Sequence, residues 1–496
     1  MALSDERKLL FSLLGYVFVL QLFCTAMSPL YPINDWADVN LYFNVGKAMF
    51  NGQTLYTETF DHKGPLIFVI YGLGYLISNA SFFGLYIIQS LLWFTMAVAA
   101  FYTARLFLVR VNAFAVALLF PVFMLTHTGQ GGSAEEFIAI FQCISLFVFI
   151  RYFKDKEGGQ HRPVDMLLHG IMFALTLFTK INLAIFWFFP LLGLFAYLLY
   201  KKENKNILQN TGAFICGVAV VALPISLYLL VNGALSEAWD IYIVLNRQYA
   251  NVGSPMEIAE RIATSFYLRL RFDTFPFLLI LTGAIYFPVK YIQNTFGRIA
   301  LILSFFALYC AIFVTPSFIY YYSIPYYIYG LTGFIVLARF VKVEDKRRFY
   351  IIFAAVALIW GIGQKNFFGY QINELLGRNK KESILTRYTK IVGQEKDPTL
   401  LNLNLDSFNS IFTGLNIVPH LKYSMSPNLA YDIYPDMRDE QTRYIEEKQA
   451  HFIILSEGGY NFDYFFNLPA LSRNYTIRQQ EMNEGGRTMY LYERKN

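Results

Sequence analysis

Asp35, Asp38, Asp61, His62 and Lys63 all fall in one aromatic-rich stretch, DWADVNLYFNVGKAMFNGQTLYTETFDHKGPL, at residues 35–66. A positioned carboxylate can take the proton from an attacking hydroxyl. An ammonium group can offset the charge that builds on a departing phosphate. A His beside an Asp reads either as a hydrogen-bonded pair or as two ligands of a divalent metal. For Asp35 the plain reading is a solvated residue at the start of a helix. For Lys63 the plain reading is a side chain snorkelling toward lipid headgroups.

Four further groups carry charge or stacking surface. In HTGQGGSAEEF, residues 127–137, Ser133 and Glu136 have the spacing of a capping box, and acidic residues complement a helix N-terminus. That accounts for Glu136 and leaves Glu135 open for chemistry. The glycines there are no nucleotide loop, since no Gly-Lys-Ser/Thr follows. Lys180 lies between two apolar runs, where a cation near lipid is a functional candidate. Arg247, Arg261, Arg269 and Arg271 make the stretch 233–273 the basic group best placed to meet a phosphate. The tyrosines of SFIYYYSIPYYIY, Tyr321 among them, suit an interfacial belt or a sugar face.

The elements that must hold these residues are membrane helices. The chain of 496 residues is 56% hydrophobic and 15% charged, with a mean hydropathy of +0.39. Soluble domains carry about 25% charged residues. The excess of 41 Lys and Arg over 35 Asp and Glu says less than their placement, and nothing points to nucleic acid. Apolar runs place about eleven spans, at 9–29, 82–107, 112–127, 136–152, 165–180, 182–200, 211–232, 274–291, 298–315, 322–340 and 348–364. With the N-terminus inside, Arg7, Lys8, Arg105, Arg110, RYFKDKEGGQHR, KKENK, Lys290, Arg298 and VKVEDKRR all fall on the cytoplasmic side. The run at 66–78 is too short to cross and is expected to lie in the outer interface, as is a short helix carrying Asp35 and Asp38 on one face. The first loop 30–81, the loop 127–136, the Lys180 turn, 233–273 and the tail then share the external face. No clear cleavage site follows the N-terminal run, so the first span is expected to be retained. Cys24, Cys143, Cys216 and Cys310 fall in apolar runs and read as small buried residues.

Residues 365–496 have a different grammar. TLLNLNL, HFIILSE and RTMYLYERK alternate with helix-like MRDEQTRYIEEKQ, the pattern of a small exported α/β domain. The expected organisation is a transmembrane domain over 1–364 and an extracytoplasmic domain over 365–496.

Asp38 with Tyr42, followed by Lys63-Gly64-Pro65-Leu66, resembles the first external loop of the C-type membrane glycosyltransferases. The closest likeness is to bacterial relatives of the lipid A aminoarabinose transferase and to the protein O-mannosyltransferases. The resemblance implies that Asp38 is the catalytic base, that Lys63 and Glu135 serve catalysis, and that inversion occurs at the anomeric carbon. It implies a polyprenyl-phosphate-linked sugar donor, a surface glycan, lipid or polymer as acceptor, and the outer face of a bacterial plasma membrane. Lys63, Lys180, Arg247, Arg269, Arg271 and Tyr321 become the candidates for donor and phosphate binding. The chain departs from the family pattern where Val39 and Asn40 replace an acidic neighbour and Gly64 replaces a proline. His62 stands where a Glu often precedes the Lys, which bears on whether Asp61 and His62 hold a metal ion. The competing class is a transporter or flippase, which would place ionisable residues at mid-membrane and repeat its halves. This chain gathers them at external helix ends and shows no repeat.

Overall fold

The computed structural model describes residues 2–31, 34–156, 159–342, 346–364, 366, 382–459, 461–483 and 485–495. The fold is mainly helical, with one small sheet near the C-terminus. Among the described residues seven helices are long and apolar enough to cross a membrane: Glu6–Cys24, Phe83–Arg105, Ala134–Phe153, Ile181–Tyr200, Asn204–Val231, Thr274–Tyr291 and Thr295–Phe313. Three more expected spans are apolar helices of shorter length, Arg110–Leu125, Pro163–Leu177 and Arg348–Ile362.

The expected span 322–340 is broken into a 3₁₀ turn, Tyr320–Ser323, and two helices, Ile324–Tyr327 and Gly330–Ala338. Pro325 removes one backbone donor there. The first helix ends at Cys24 rather than at 29, and the Thr25 hydroxyl then lies 3.1 Å from both Gln89 Oε1 and the Gln130 carbonyl. The run at 66–78 forms Pro65–Ile77, a helix of 13 residues opened by a proline in its first turn.

The chain divides into two compact units. One comprises Met1–Thr25, Ile88–Ile225 and Ala250–Gly369 and holds most of the apolar helices. The other comprises Ala26–Ile87, Ser226–Tyr249 and Tyr370–Asn496. The tail therefore shares its unit with the first loop, a grouping that sequence order does not suggest. The expected domain border at 364/365 adjoins residue 365 and the stretch 367–381, which lie outside the described residues.

In the second unit the sheet has the order β1-β2-β4-β3, with β1 Leu400–Asn402, β2 Phe452–Ser456, β3 Tyr475–Met482 and β4 Thr488–Arg494. β1 and β2 are parallel, and β4 runs antiparallel to both β2 and β3. The three expected strands are β1, β2 and β4. β3 escapes the sequence pattern because it is an edge strand, YTIRQQEM, with only Tyr475 buried. The expected tail helix is Pro435–Glu446.

The first-loop helix Ala37–Phe50 packs on Pro65–Ile77 at close range. A Cβ at Gly46 would stand 2.6 Å from the Phe68 carbonyl oxygen and 2.7 Å from the Gly72 nitrogen, so only glycine permits this approach.

Candidate active site

Within the second unit, the first-loop helix carries Asp38 in its first turn, half-buried, with Trp36 as N-cap. The helix begins at Ala37, so Asp35 lies outside it and is exposed rather than sharing a helical face with Asp38. That corrects the paired-face expectation. The cause is an Asx turn: Asn34 Oδ1 accepts the Trp36 N–H at 3.1 Å and holds the chain extended up to the cap.

The Lys63 segment is wound tightly. Tyr56 is fully buried at φ +73°, and its hydroxyl donates to the Lys63 carbonyl at 2.7 Å. Asn246 Nδ2 donates to the His62 carbonyl at 2.5 Å, and the Tyr249 ring lies 5.2 Å from the His62 ring. Asp61 Oδ1 accepts the His62 backbone N–H at 2.6 Å and sits 3.3 Å from His62 Nδ1. Lys63 Nζ lies 3.0 Å from His62 Nε2. An ammonium can only donate, so Nε2 is the acceptor and His62 carries its proton on Nδ1, toward Asp61.

Asp61 is buried, at 1% exposure, and its Oδ2 has no hydrogen-bond partner. Burial pushes its carboxyl above the ordinary range, Lys63 and the His62 N–H draw it back, and Asp38 pushes it up again. Asp38 and Lys63 thus act on the same buried carboxyl. Sequence spacing brings Asp61, His62 and Lys63 together trivially; the fold adds Asp38.

The expected metal pair of Asp61 and His62 finds no third ligand among the described residues. Among the described residues no group of three or more His, Cys, Asp or Glu side chains could hold an ion. Lys63 moreover occupies one His62 nitrogen. These residues do not fit a metal centre.

The other unit holds a separate set. Glu135 and Lys180 are bound to each other, Nζ to Oε1 at 2.6 Å, with the ammonium 3.9 Å from the centre of the Tyr322 ring. Glu136 closes its own helix start. Ser133 Oγ accepts the Glu136 N–H at 3.2 Å, while Glu136 accepts from Gly132 N at 2.7 Å, Gln89 Nε2 at 2.6 Å and Trp93 Nε1 at 2.5 Å. The box is completed through Gly132 (φ +90°) instead of the Ser133 N–H.

Among the arginines, Arg261 binds the carbonyls of Val252 and Val314, and Arg269 binds Asp273, which also lies 3.8 Å from His127. Arg247 and Arg271 are exposed, and Arg247 follows Asn246, the residue that holds His62. Tyr321 is buried among Tyr320 and Tyr322.

Sequence reasoning missed Lys47. It is completely buried, donates to the carbonyls of Phe412 at 2.7 Å and Ile417 at 3.3 Å, and lies 5.4 Å from the Phe43 ring centre. A charged residue on the apolar face of an otherwise amphipathic helix was the only available signal. His127 was missed too; it bonds the Tyr327 hydroxyl at 2.9 Å.

A family model described as dolichyl-phosphate-mannose-protein mannosyltransferase matches residues 62–230. No sequence among the curated proteins matches the chain. In fold the chain is similar to ArnT from Cupriavidus metallidurans bound to undecaprenyl phosphate, with a TM-score of 0.58 at 12% identity over 99% of this chain and 98% of that one. The same protein in the apo state gives 0.56 at 14% identity over 99% and 98%. The oligosaccharyltransferase of Archaeoglobus fulgidus in the apo form gives 0.53 at 13% identity over 97% and 74%. At these identities the likeness to solved structures is one of fold. It fits the C-type resemblance drawn from Asp38, Tyr42 and the Lys63 motif, and the family model matched over residues 62–230 is that of a mannosyltransferase.

Proposed function

We propose that this multi-pass membrane protein of C-type glycosyltransferase fold moves a sugar from a polyprenyl-phosphate carrier to a glycan, lipid or polymer on the outer face of a bacterial plasma membrane. The observation that carries this reading is the meeting of Asp38, Asp61, His62 and Lys63 in one unit. In the reaction Asp38 takes the proton of the acceptor hydroxyl as its oxygen attacks the anomeric carbon. The bond from that carbon to the phosphate oxygen breaks, and the phosphate leaves with the electron pair. The Lys63 ammonium has three N–H donors. One is directed at His62, and the positive charge of the ammonium can offset the charge that grows on the phosphate. His62 and Asp61 aim that ammonium, and the Tyr56 bond fixes the backbone that carries it. Arg247 is the arginine assigned to the donor phosphate, because its neighbour Asn246 grips the same segment. The region of the family match, 62–230, begins at His62 and takes in Lys63.

The test uses the polyprenyl-phosphate sugar that should accumulate in lipid extracts of a strain lacking the gene. Asp38→Asn keeps the shape and removes the base, so turnover of that lipid should fall by roughly 10²–10⁴-fold with donor affinity and thermal stability retained. Lys63→Arg should keep part of the activity that Lys63→Ala loses, since it preserves charge and alters geometry. Asp35→Asn should change little. If Asp35→Asn is inactive while Asp38→Asn turns over normally, the base is misassigned. If both are fully active and no lipid-linked sugar accumulates, the glycosyltransferase reading gives way to a transporter.

A further inference from the structure

The helix that carries Asp38 is fastened to the tail by buried polar side chains, and the pattern of those bonds leads back to Asp38. Thr413, in the short tail helix Asn409–Gly414, donates its hydroxyl to Asn40 Oδ1 at 2.9 Å. The amide of Asn40 donates in turn to the carbonyls of Asn34 at 2.7 Å and Trp36 at 3.0 Å. Those two carbonyls belong to the turn and cap that immediately precede Asp38. One helical turn on, Asn44 Nδ2 donates to Asn40 O at 2.8 Å and, at 3.2 Å each, to Asn409 O and Thr413 Oγ1. Lys47 completes the row with its two bonds to Phe412 O and Ile417 O. Asn40, Asn44 and Lys47 are all at 0% exposure, and Thr413 is at 4%.

Spacings of four and three residues put Asn40, Asn44 and Lys47 on one face of the helix. An apolar face would pack as well and tolerate sliding by a fraction of a turn. A buried row of directional bonds does not, because any shift leaves donors and acceptors unpaired in a low-dielectric interior. Such a row specifies position more than it adds stability.

We infer that the tail is a positioning element of the transfer reaction: Thr413, acting through Asn40, sets the turn that aims the Asp38 carboxylate, and Lys47 holds the helix in register. This rests on the assignment of Asp38 as base. Thr413 and Asn40 touch neither donor nor acceptor in this scheme and act only through Asp38. The tail is thus not a detachable module hung on a membrane enzyme.

The experiment uses the full-length protein, with the lipid-linked sugar extracted from the deletion strain as donor and membranes of that strain as acceptor. Thr413→Val keeps the shape and removes the hydroxyl. Its kcat should fall by roughly 10–100-fold, the scale expected when a reacting group is misplaced by a fraction of an ångström to an ångström. The KM for the lipid should be unchanged. Thr413→Ser, which restores the hydroxyl, should recover most of the loss, and Thr413→Ala serves as a second variant without it. In an Asp38→Asn background Thr413→Val should lower kcat little further, since the group it aims is gone. A purely structural role would instead lower the melting temperature with kcat of the folded protein unchanged, or make the two substitutions multiply; either result overturns the inference. If Asp38→Asn is impaired and Thr413→Val is normal, the relay alone falls. If Asp38→Asn is itself normal, the base assignment and the relay fall together.

Discussion

Lys180 shows why a residue's type does not settle its role. An isolated cation at the end of an apolar helix invites a phosphate, but here it meets Glu135, whose side chain is 3% exposed against 24% for the lysine. Removing one member of a buried pair leaves the other unpaired, typically at about 3–5 kcal/mol. With a quarter of Lys180 in contact with solvent, about 2–3 kcal/mol is expected for Lys180→Met. The double variant Glu135→Gln/Lys180→Met should recover most of that loss, because neither charge remains. Melting temperatures of the detergent-extracted proteins test this. If the double variant is as stable as wild type yet inactive, Lys180 or Glu135 serves the reaction as well as the pair. Asp38 and Lys63 differ in kind from these residues: they converge on the buried carboxyl of Asp61, which has an unpartnered oxygen.

At the scale of elements, the first-loop helix is more than an interfacial helix with an apolar underside. Ten of its fourteen residues are buried, Lys47 among them. Burial lowers the Lys47 ammonium to about 7 from an ordinary 10.5. Between those values the unfolded chain holds a proton that the folded chain has released. Unfolding therefore takes up that proton, and stability rises with pH across the window and levels off below about 7. The melting temperature of the wild type, relative to Lys47→Met, should climb from pH 7 toward pH 9.5. Parallel curves for the two proteins would mean that Lys47 stays charged in its site. The bonds to the Phe412 and Ile417 carbonyls survive in either state, since the neutral amine still donates.

For the whole molecule, orientation is an expectation drawn from where Lys and Arg cluster, and it is testable without knowing the substrate. A positive-inside arrangement would put Lys156 in the cytoplasm and Met256 outside, with the tail residue Glu395 on the same outer side. All three are exposed. Single cysteines at these positions, treated on intact cells with an impermeant thiol reagent, should label at 256 and 395 and not at 156. Labelling at 156 alone would overturn this topology. Reading the run at 66–78 as a full crossing would invert everything after it and put Lys156 outside, while leaving Asp38 and Lys63 external. The helix there has 13 residues, about 20 Å at 1.5 Å per residue, against a hydrocarbon core of about 30 Å.

What the sequence determined by itself is whatever depends on local composition. Apolar runs must be helical in lipid, because every backbone group has to find its partner within the segment. Short apolar strands such as Phe452–Ser456, buried throughout, announce a sheet core. Asp38-x-x-x-Tyr42 and Lys63-Gly64-Pro65-Leu66 likewise carry their resemblance in adjacent residues. The edge strand Tyr475–Met482 was not legible, because it is largely exposed and draws its conformation from pairing with one neighbour. Nor was the distant partner of any polar side chain legible: Lys180 with Glu135, Lys47 with Phe412, Asn40 with Thr413. These pairings join residues 45, 365 and 373 positions apart. A hydrogen bond needs its atoms within about 3 Å and aligned, and no local pattern encodes that. Only the tertiary structure decided that the tail and the first loop are one unit, and with that what holds Asp38 in place.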